Sequence, residues 1–366
     1  MIYLDNAATT LIKPSAVSHA VLRAMQTMAS PGRGGHRPSM LAAETVYDCR
    51  EAAARLFHVR DPGSVVFTMN ATHGLNIAIR SLAEPGMPVL ISGFEHNSVT
   101  RPLHALGAQL RVAGRRLFDP DSLLEEFEDQ LKGAGLAVCT WVSNAFGYVL
   151  PMREIAELCR RKSVPLIVDA SQAAGALEID FSELGAAFLA MPGHKGLFGP
   201  QGTGILLCGE RGEPLLHGGS GSNSIEQFMP PELPDRLEAG THNVCGIAGL
   251  LEGIRYVTEK GTASILAHEQ MLLGRMCGAL RESDYELFTG EGQCGVLSLR
   301  KSGTDGETLA RMLDEEGVCV RPGLHCAPLA HESAGTLETG TVRFSFSPFV
   351  TEGEIDACCQ ILKRLS

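Results

Sequence analysis

Val164-Pro165-Leu166-Ile167-Val168-Asp169 is an apolar run that ends on an acid, and the company it keeps decides the fold. Its branched, uncharged residues suit a strand buried on both faces. Upstream, the same unit recurs. Val65-Val66-Phe67-Thr68 reads as a strand and His73 to Leu82 as a helix; Pro88 to Ser92 is a strand and Asn97 to Leu106 a helix. A strand near Gln109 to Ala113 precedes a helix from Asp119 to Leu131, and a strand from Leu136 to Ser143 precedes a helix from Met152 to Arg161. Strands alternating with helices of this length predict an α/β fold whose mainly parallel sheet is covered on both faces. In such a sheet, a ligand lies beyond the carboxyl ends of the strands.

Downstream, Leu184 to Ala190 suits a further buried strand or its approach, and it leads into Met191-Pro192-Gly193-His194-Lys195-Gly196-Leu197-Phe198-Gly199-Pro200. A lysine in a Gly-rich turn is most often a solvated charge. Here Thr72, His96, Asn144, Asp169 and Lys195 all fall at or just after strand ends, and their convergence outweighs any one of them. A strand-end aspartate followed by a Gly-framed lysine suits a pyridoxal phosphate site, with the lysine holding the aldehyde and the aspartate pairing with the ring nitrogen. In Asn70-Ala71-Thr72-His73-Gly74, the N–H groups of a starting helix and the Thr72 hydroxyl can hold a phosphate, although threonine is equally a helix cap. His96 can stack on a ring and relay protons, or be an ordinary hydrogen-bonded histidine.

Around this centre, Pro14 to about Met28 reads as a helix with proline near its first turn. Ser30 to Pro38 is a Gly- and Pro-rich loop, and Ser39 is expected to cap a helix running through Phe57. Thr203 to Cys208 is a strand, and Gly218 to Pro234 an irregular polar loop. A helical stretch from Val244 to Glu282, broken at Gly261, leads to a smaller α+β unit. That unit comprises Glu286-Leu287-Phe288, Gly295 to Leu299, Thr304 to Glu315, Val318 to Arg321, Val342 to Ser347 and Glu352 to Leu365. The expected division is a large domain over 14–255 and a small one over 1–13 and 256–366 that carries the cysteine loop discussed below.

The 366 residues, 44% of them hydrophobic, are enough for a large core. A net charge of −11 without a dense Lys/Arg run argues against nucleic acid. No apolar run approaches the roughly 18 residues that cross a bilayer, and Met1-Ile2-Tyr3-Leu4-Asp5 lacks the features of a signal peptide. Eleven cysteines without a Cys-x-x-Cys pair suggest neither zinc nor a disulfide framework, so no metal site is expected. Buried free thiols in a reducing cytoplasm are the economical reading for ten of them. Cys326 differs: Gly323 and Pro328 bracket its loop, and His325 beside it is expected to favour the thiolate.

Six stretches carry a resemblance: Tyr3-Leu4-Asp5-Asn6-Ala7-Ala8-Thr9-Thr10, Glu95-His96-Asn97, Ser143-Asn144-Ala145-Phe146-Gly147, Val168-Asp169-Ala170-Ser171-Gln172, Gly193-His194-Lys195-Gly196 and Arg236-Leu237-Glu238-Ala239-Gly240-Thr241. In order along nearly the whole chain, they resemble the class V aminotransferase family. Arg321-Pro322-Gly323-Leu324-His325-Cys326-Ala327 is similar to the catalytic-cysteine segment of its SUF-type cysteine desulfurases. The resemblance implies the type I fold of pyridoxal-phosphate-dependent transferases: a large domain with a mainly parallel seven-stranded sheet, a smaller α+β C-terminal domain, and a homodimer.

Residue by residue, the resemblance implies that Lys195 holds the cofactor, Asp169 keeps its ring nitrogen protonated, Gln172 contacts the ring hydroxyl and His96 stacks on the ring. Ala71, Thr72 and His194 serve the phosphate, and Thr241 reaches it from the neighbouring subunit. Asn144 lies near the ring oxygen and substrate, Arg343 takes the substrate carboxylate, and Arg321 frames the same pocket. Cys326 would take sulfur from L-cysteine, leaving alanine and a persulfide that passes to an acceptor protein. The 17 positions from Cys326 to Arg343 resemble the type with a compact cysteine loop. Met191-Pro192 departs from the pattern where relatives offer the phosphate a serine, and Ala71 replaces a frequent threonine. The alternatives are a selenocysteine lyase or other lyase on this scaffold, a true aminotransferase, and a non-catalytic sulfur carrier.

Overall fold

The computed structural model describes residues 1–31, 34–222 and 224–365, so Gly32 and Arg33 of the expected Gly-rich loop lie outside the described residues. After a short N-terminal strand β1 (Ile2–Tyr3), seven strands build one sheet. They are β2 (Val65–Thr68), β3 (Pro88–Ser92), β4 (Gln109–Ala113), β5 (Leu136–Thr140), β6 (Leu166–Asp169), β7 (Phe188–Pro192) and β8 (Gly204–Cys208). Their order is β2-β8-β7-β6-β5-β3-β4, with β8 antiparallel to both neighbours and the other pairings parallel.

Successive side chains of a strand leave opposite faces, and the apolar residues sort accordingly. Leu90, Ala137, Cys139, Val168, Leu189, Ile205 and Leu207 join one core with helices Arg37–Leu56, Met152–Lys162 and Val244–Lys260. Val89, Ile91, Val138, Ile167, Phe188, Ala190 and Leu206 join the other with Ala71–Leu82 and Asn97–Leu106. Burial on both faces explains why these strands read as unbroken apolar runs.

The second sheet is antiparallel, with β9 (Tyr285–Phe288), β10 (Val296–Lys301), β12 (Arg321–Gly323) and β13 (Thr341–Ser345) in the order β12-β13-β10-β9. A single strand was expected over Val318 to Arg321. The structure instead breaks it at Val320, and β11 (Val318–Cys319) pairs with β1. The N-terminus causes the break: Leu4 N–H donates to Cys319 O at 2.9 Å and Leu4 O accepts Ser345 N–H at 2.7 Å, wedging the first residues between β11 and β13.

The helix expected to start at Ser39 starts at Arg37, with Pro38 in its first turn. Ser39 Oγ is not its cap; it donates to Ser30 O at 2.6 Å. Helix Val244–Lys260 lies so close to the turn after β7 that a Cβ on Gly253 would meet Leu197 O at 2.1 Å. Among the described residues, no helix is long and apolar enough to cross a membrane.

Candidate active site

Lys195 follows β7, and Asp169 closes the neighbouring β6, where it is 2% exposed. Two glycines lock the lysine's turn. A Cβ on Gly196 would meet Ala174 O at 2.3 Å, and one on Gly175, at φ +90°, would meet Gly196 O at 2.0 Å. Asp169 Oδ1 accepts Ser171 N–H at 2.9 Å. Burial pushes the Lys195 amine down to about 8; Asp169 works against this, Arg343 and Arg321 add to it, and Asp5 again opposes it. An amine this easily deprotonated is a usable nucleophile and base near neutral pH.

His96 caps helix Asn97–Leu106, its Nδ1 accepting Ser98 N–H at 3.0 Å. Burial depresses its pKa to about 4; the Asp169 charge opposes this, while Lys195, Arg321 and Arg101 reinforce it. The imidazole is therefore neutral, and with Nδ1 accepting, its proton sits on Nε2. Ser98 Oγ lies 2.9 Å from that Nδ1 and 2.8 Å from Thr72 Oγ1. The cap of helix Ala71–Leu82 is Asn70, whose Oδ1 accepts His73 N–H at 2.9 Å, so Thr72 is not used as one. Two hydroxyls and the first N–H groups of a helix make an anion-binding corner there. Ala71 is buried beside it. Ser98 was missed in the sequence; its only signal was its place two residues after a strand-end histidine.

His194 and Gln172 both meet the N-terminal segment, a second element the sequence reading left out of the site. His194 Nδ1 is 3.1 Å from Thr9 Oγ1, and its carbonyl accepts Thr10 N–H at 3.2 Å. Burial, with Lys195 and Lys13 nearby, lowers its pKa to about 4. Gln172 Nε2 donates to Ala7 O at 3.0 Å.

Arg321 and Arg343 are cross-strand partners on β12 and β13. Arg343 is 1% exposed; its Nη2 donates to Asp5 Oδ1 at 2.7 Å and its Nη1 to Asn144 O at 3.0 Å. Asn144 Nδ2 donates to His325 O at 2.7 Å, and Cys326 O accepts Asn97 N–H at 2.8 Å. These two bonds fasten the cysteine loop beside His96. Seven of the eleven cysteines are buried and only Cys326 is exposed, with all eleven unpaired. Arg321 Nη2 stands 3.9 Å from its sulfur. His325 (φ +51°) and Cys326 (φ +57°) are both left-handed, a conformation β-carbon residues adopt under constraint.

The expectation that His325 favours the thiolate is corrected. His325 is 3% exposed and its Nε2 pairs with Thr341 Oγ1 at 3.1 Å. Burial first, then Arg343, His331 and Arg321, push its pKa down to about 2. A neutral buried imidazole brings no positive charge to the sulfur; Arg321 does. Thr241 does not join the Lys195 group of its own chain. It is exposed on a cleft of about 180 Å³ lined also by Met69, His73 and His242. Among the described residues, no group of three or more His, Cys, Asp or Glu side chains is arranged to hold a metal.

A family model described as aminotransferase class-V matches residues 2–358. A probable cysteine desulfurase of Methanothermobacter thermautotrophicus is 31% identical over 388 aligned positions, spanning 100% of this chain and 94% of that protein. One from Pyrococcus abyssi is 30% identical over 380 positions, with coverage of 100% and 94%. Among solved structures, a cysteine desulfurase from Thermococcus onnurineus superposes with a TM-score of 0.92 at 31% identity, over 100% of this chain and 94% of that one. With a match of this extent on a fold so closely shared, the chain belongs to the class V aminotransferase family.

Proposed function

We propose that this chain is a pyridoxal-phosphate-dependent cysteine desulfurase, converting L-cysteine to L-alanine and carrying the sulfur as a persulfide on Cys326. The observation that carries the reading is the exposed thiol: its own carbonyl is bonded to the residue after His96, and a guanidinium lies 3.9 Å from its sulfur.

The residues present fit the cofactor. Its phosphate suits the corner of Thr72 and Ser98 beside the buried Ala71, with His194 next to Lys195 as its further contact, its ring nitrogen suits the buried Asp169, and its aldehyde suits Lys195. When bound, pyridoxal phosphate supplies an electron sink for a carbanion at the substrate's α-carbon. Gln172 and Asn144 serve the ring oxygen, and the neutral His96 covers the ring face with Nε2–H as a donor. Arg343, with Arg321 beside it, takes the substrate carboxylate through charge-assisted N–H bonds. Lys195 Nζ, weakly basic for a lysine, accepts the α-proton and returns it. The Cys326 thiolate attacks the substrate sulfur. The S–S bond forms as the Cβ–S bond breaks, and the electron pair stays on carbon, where a proton completes alanine. Arg321 balances the thiolate.

Thr241, exposed on its own cleft, serves the phosphate of a second subunit, so the working form is a homodimer. The persulfide passes to a sulfur-acceptor protein in the cytoplasm. The chain divides into 14–255 and 1–13 with 256–366, a division supported by Leu4 packing in one apolar cluster with Leu272, Phe344 and Leu362.

Purified protein should show a visible absorbance that disappears in Lys195→Ala, and a wild type that stays colourless after reconstitution would overturn the cofactor assignment. Cys326→Ala keeps the colour and loses alanine formation from L-cysteine; normal turnover in that variant would remove Cys326 as the nucleophile.

A further inference from the structure

We infer that Asp5 is a resident counter-carboxylate for Arg343, occupying the place that the substrate's carboxylate takes, so that binding exchanges one carboxylate for another. The inference rests on the reading of Arg343 as the substrate-carboxylate residue.

The backbone leaves Asp5 little choice of position. Asp5 bridges to Ser345, whose N–H donates to Leu4 O at 2.7 Å and whose Oγ accepts Ala7 N–H at 2.8 Å. Arg343 and Ser345 are two residues apart on β13 and so share a face. Asp5 is thereby delivered to the guanidinium, and the 2.7 Å contact is that of a charge-assisted bond.

The surroundings require such a partner. Arg343 is nearly closed to solvent, a second guanidinium sits directly across the strands at Arg321, and Lys195 lies close enough to feel both. Like charges opposite each other destabilise a sheet, and a lone buried cation is unfavourable. Asp5 offsets both.

Access points the same way. Arg343 Nη1 is committed to Asn144 O, and Nε is buried without a partner. Arg343 is 1% exposed along its side chain, whereas Asp5 is 21% exposed. A carboxylate arriving from outside therefore meets the guanidinium at Nη2, where Asp5 already sits, and displaces it by rotation of the Asp5 side chain. Asp5 acts through Arg343 and is a positioning residue. It keeps the guanidinium aimed while the site is empty and weakens every carboxylate that competes for it.

Two measurements test this. In the holoenzyme, Asp5→Asn removes the competing charge at constant size, and KM for L-cysteine falls about three- to tenfold with kcat changed less than KM. An unchanged or raised KM would overturn the proposal. In the cofactor-free protein, Asp5→Ala opens space beside Arg343, and sodium acetate raises its melting temperature more than the wild type's, against sodium chloride at equal ionic strength. Acetamide, which lacks the charge, gives no such rise. Equal responses of wild type and variant to acetate would also overturn it; should Asp5→Ala not fold, Asp5→Asn carries the same comparison. A wild type that makes no alanine from L-cysteine would refute the desulfurase reading, yet the acetate experiment would still judge Asp5.

Discussion

Replacing Lys195 with methionine keeps an unbranched side chain, one heavy atom shorter, and removes its charge, and in the cofactor-free protein this stabilises the fold in a pH-dependent way. Burial, with the charges of Arg343 and Arg321, lowers the amine from 10.5 to about 8, against the pull of Asp169 and Asp5. Below pH 8, folded and unfolded chains both carry the proton, and the folded state bears the whole penalty. Between 8 and 10.5, the folded state has released a proton that the unfolded chain still binds, so wild-type stability rises with pH; above 10.5 the penalty is gone. The fall from 10.5 to about 8 sets a ceiling of about 3 kcal/mol. Partial solvation of the amine reduces the expected value to about 1–2 kcal/mol. The Lys195→Met apoprotein should then melt about 2–4 °C above wild type at pH 7. Urea midpoints at pH 7 and about pH 9.5 separate this charge effect from the added apolar burial, which does not titrate. A stability gap equal at both pH values, or a variant less stable at pH 7, would refute the reasoning.

Arg50 holds Glu238 from both sides, Nη1 to Oε1 at 2.8 Å and Nη2 to Oε2 at 2.9 Å, with both side chains buried. Arg50→Met should cost about 3–5 kcal/mol in chemical denaturation by stranding the carboxylate. Adding Glu238→Gln should recover part of that loss, and failure to recover any would show that the charge was not the cause. Iodoacetamide should find one fast thiol in the native protein, absent in Cys326→Ser. His325→Gln should leave its rate within about twofold, because that imidazole is neutral and buried. Arg321→Gln should slow it about three- to tenfold, the effect of a unit charge near 4 Å in a wet environment. The reverse ranking would restore His325 as the partner of the thiolate.

The large sheet was legible because burial on both faces leaves a local trace. Val138, Ile167 and Val168 must all be apolar, whichever face they meet, and β6 and β8 appear in the sequence within two residues of their observed bounds, whereas β7 starts at Phe188, four residues after the expected Leu184, because Phe181–Leu184 turns into a short helix. The small sheet was less so. Val318 to Arg321 looks like one strand, and only the inserted N-terminus, arriving from more than 300 residues away, splits it between two sheets. Helix Arg37–Leu56 began earlier than expected because Pro38 fits a first turn whether or not a serine follows.

For the site, the sequence by itself determined which side chains stand at the carboxyl ends of strands: Thr72, His96, Asp169 and Lys195. Such positions depend only on where apolar runs stop. It also singled out Cys326 among eleven thiols from its loop. What tertiary structure decided was how these groups are charged and held. Asp5 to Arg343, Asn144 to His325 and Asn97 to Cys326 are contacts between residues far apart in the chain, and no local pattern announces them. The same holds for proton affinity. His325 and Lys195 each sit in a loop beside small residues, and nothing in their neighbours reveals that burial makes one a neutral spectator and the other a poised amine. Desolvation and the fields of distant charges belong to the folded chain, so the chemistry of these residues had to wait for their places in space.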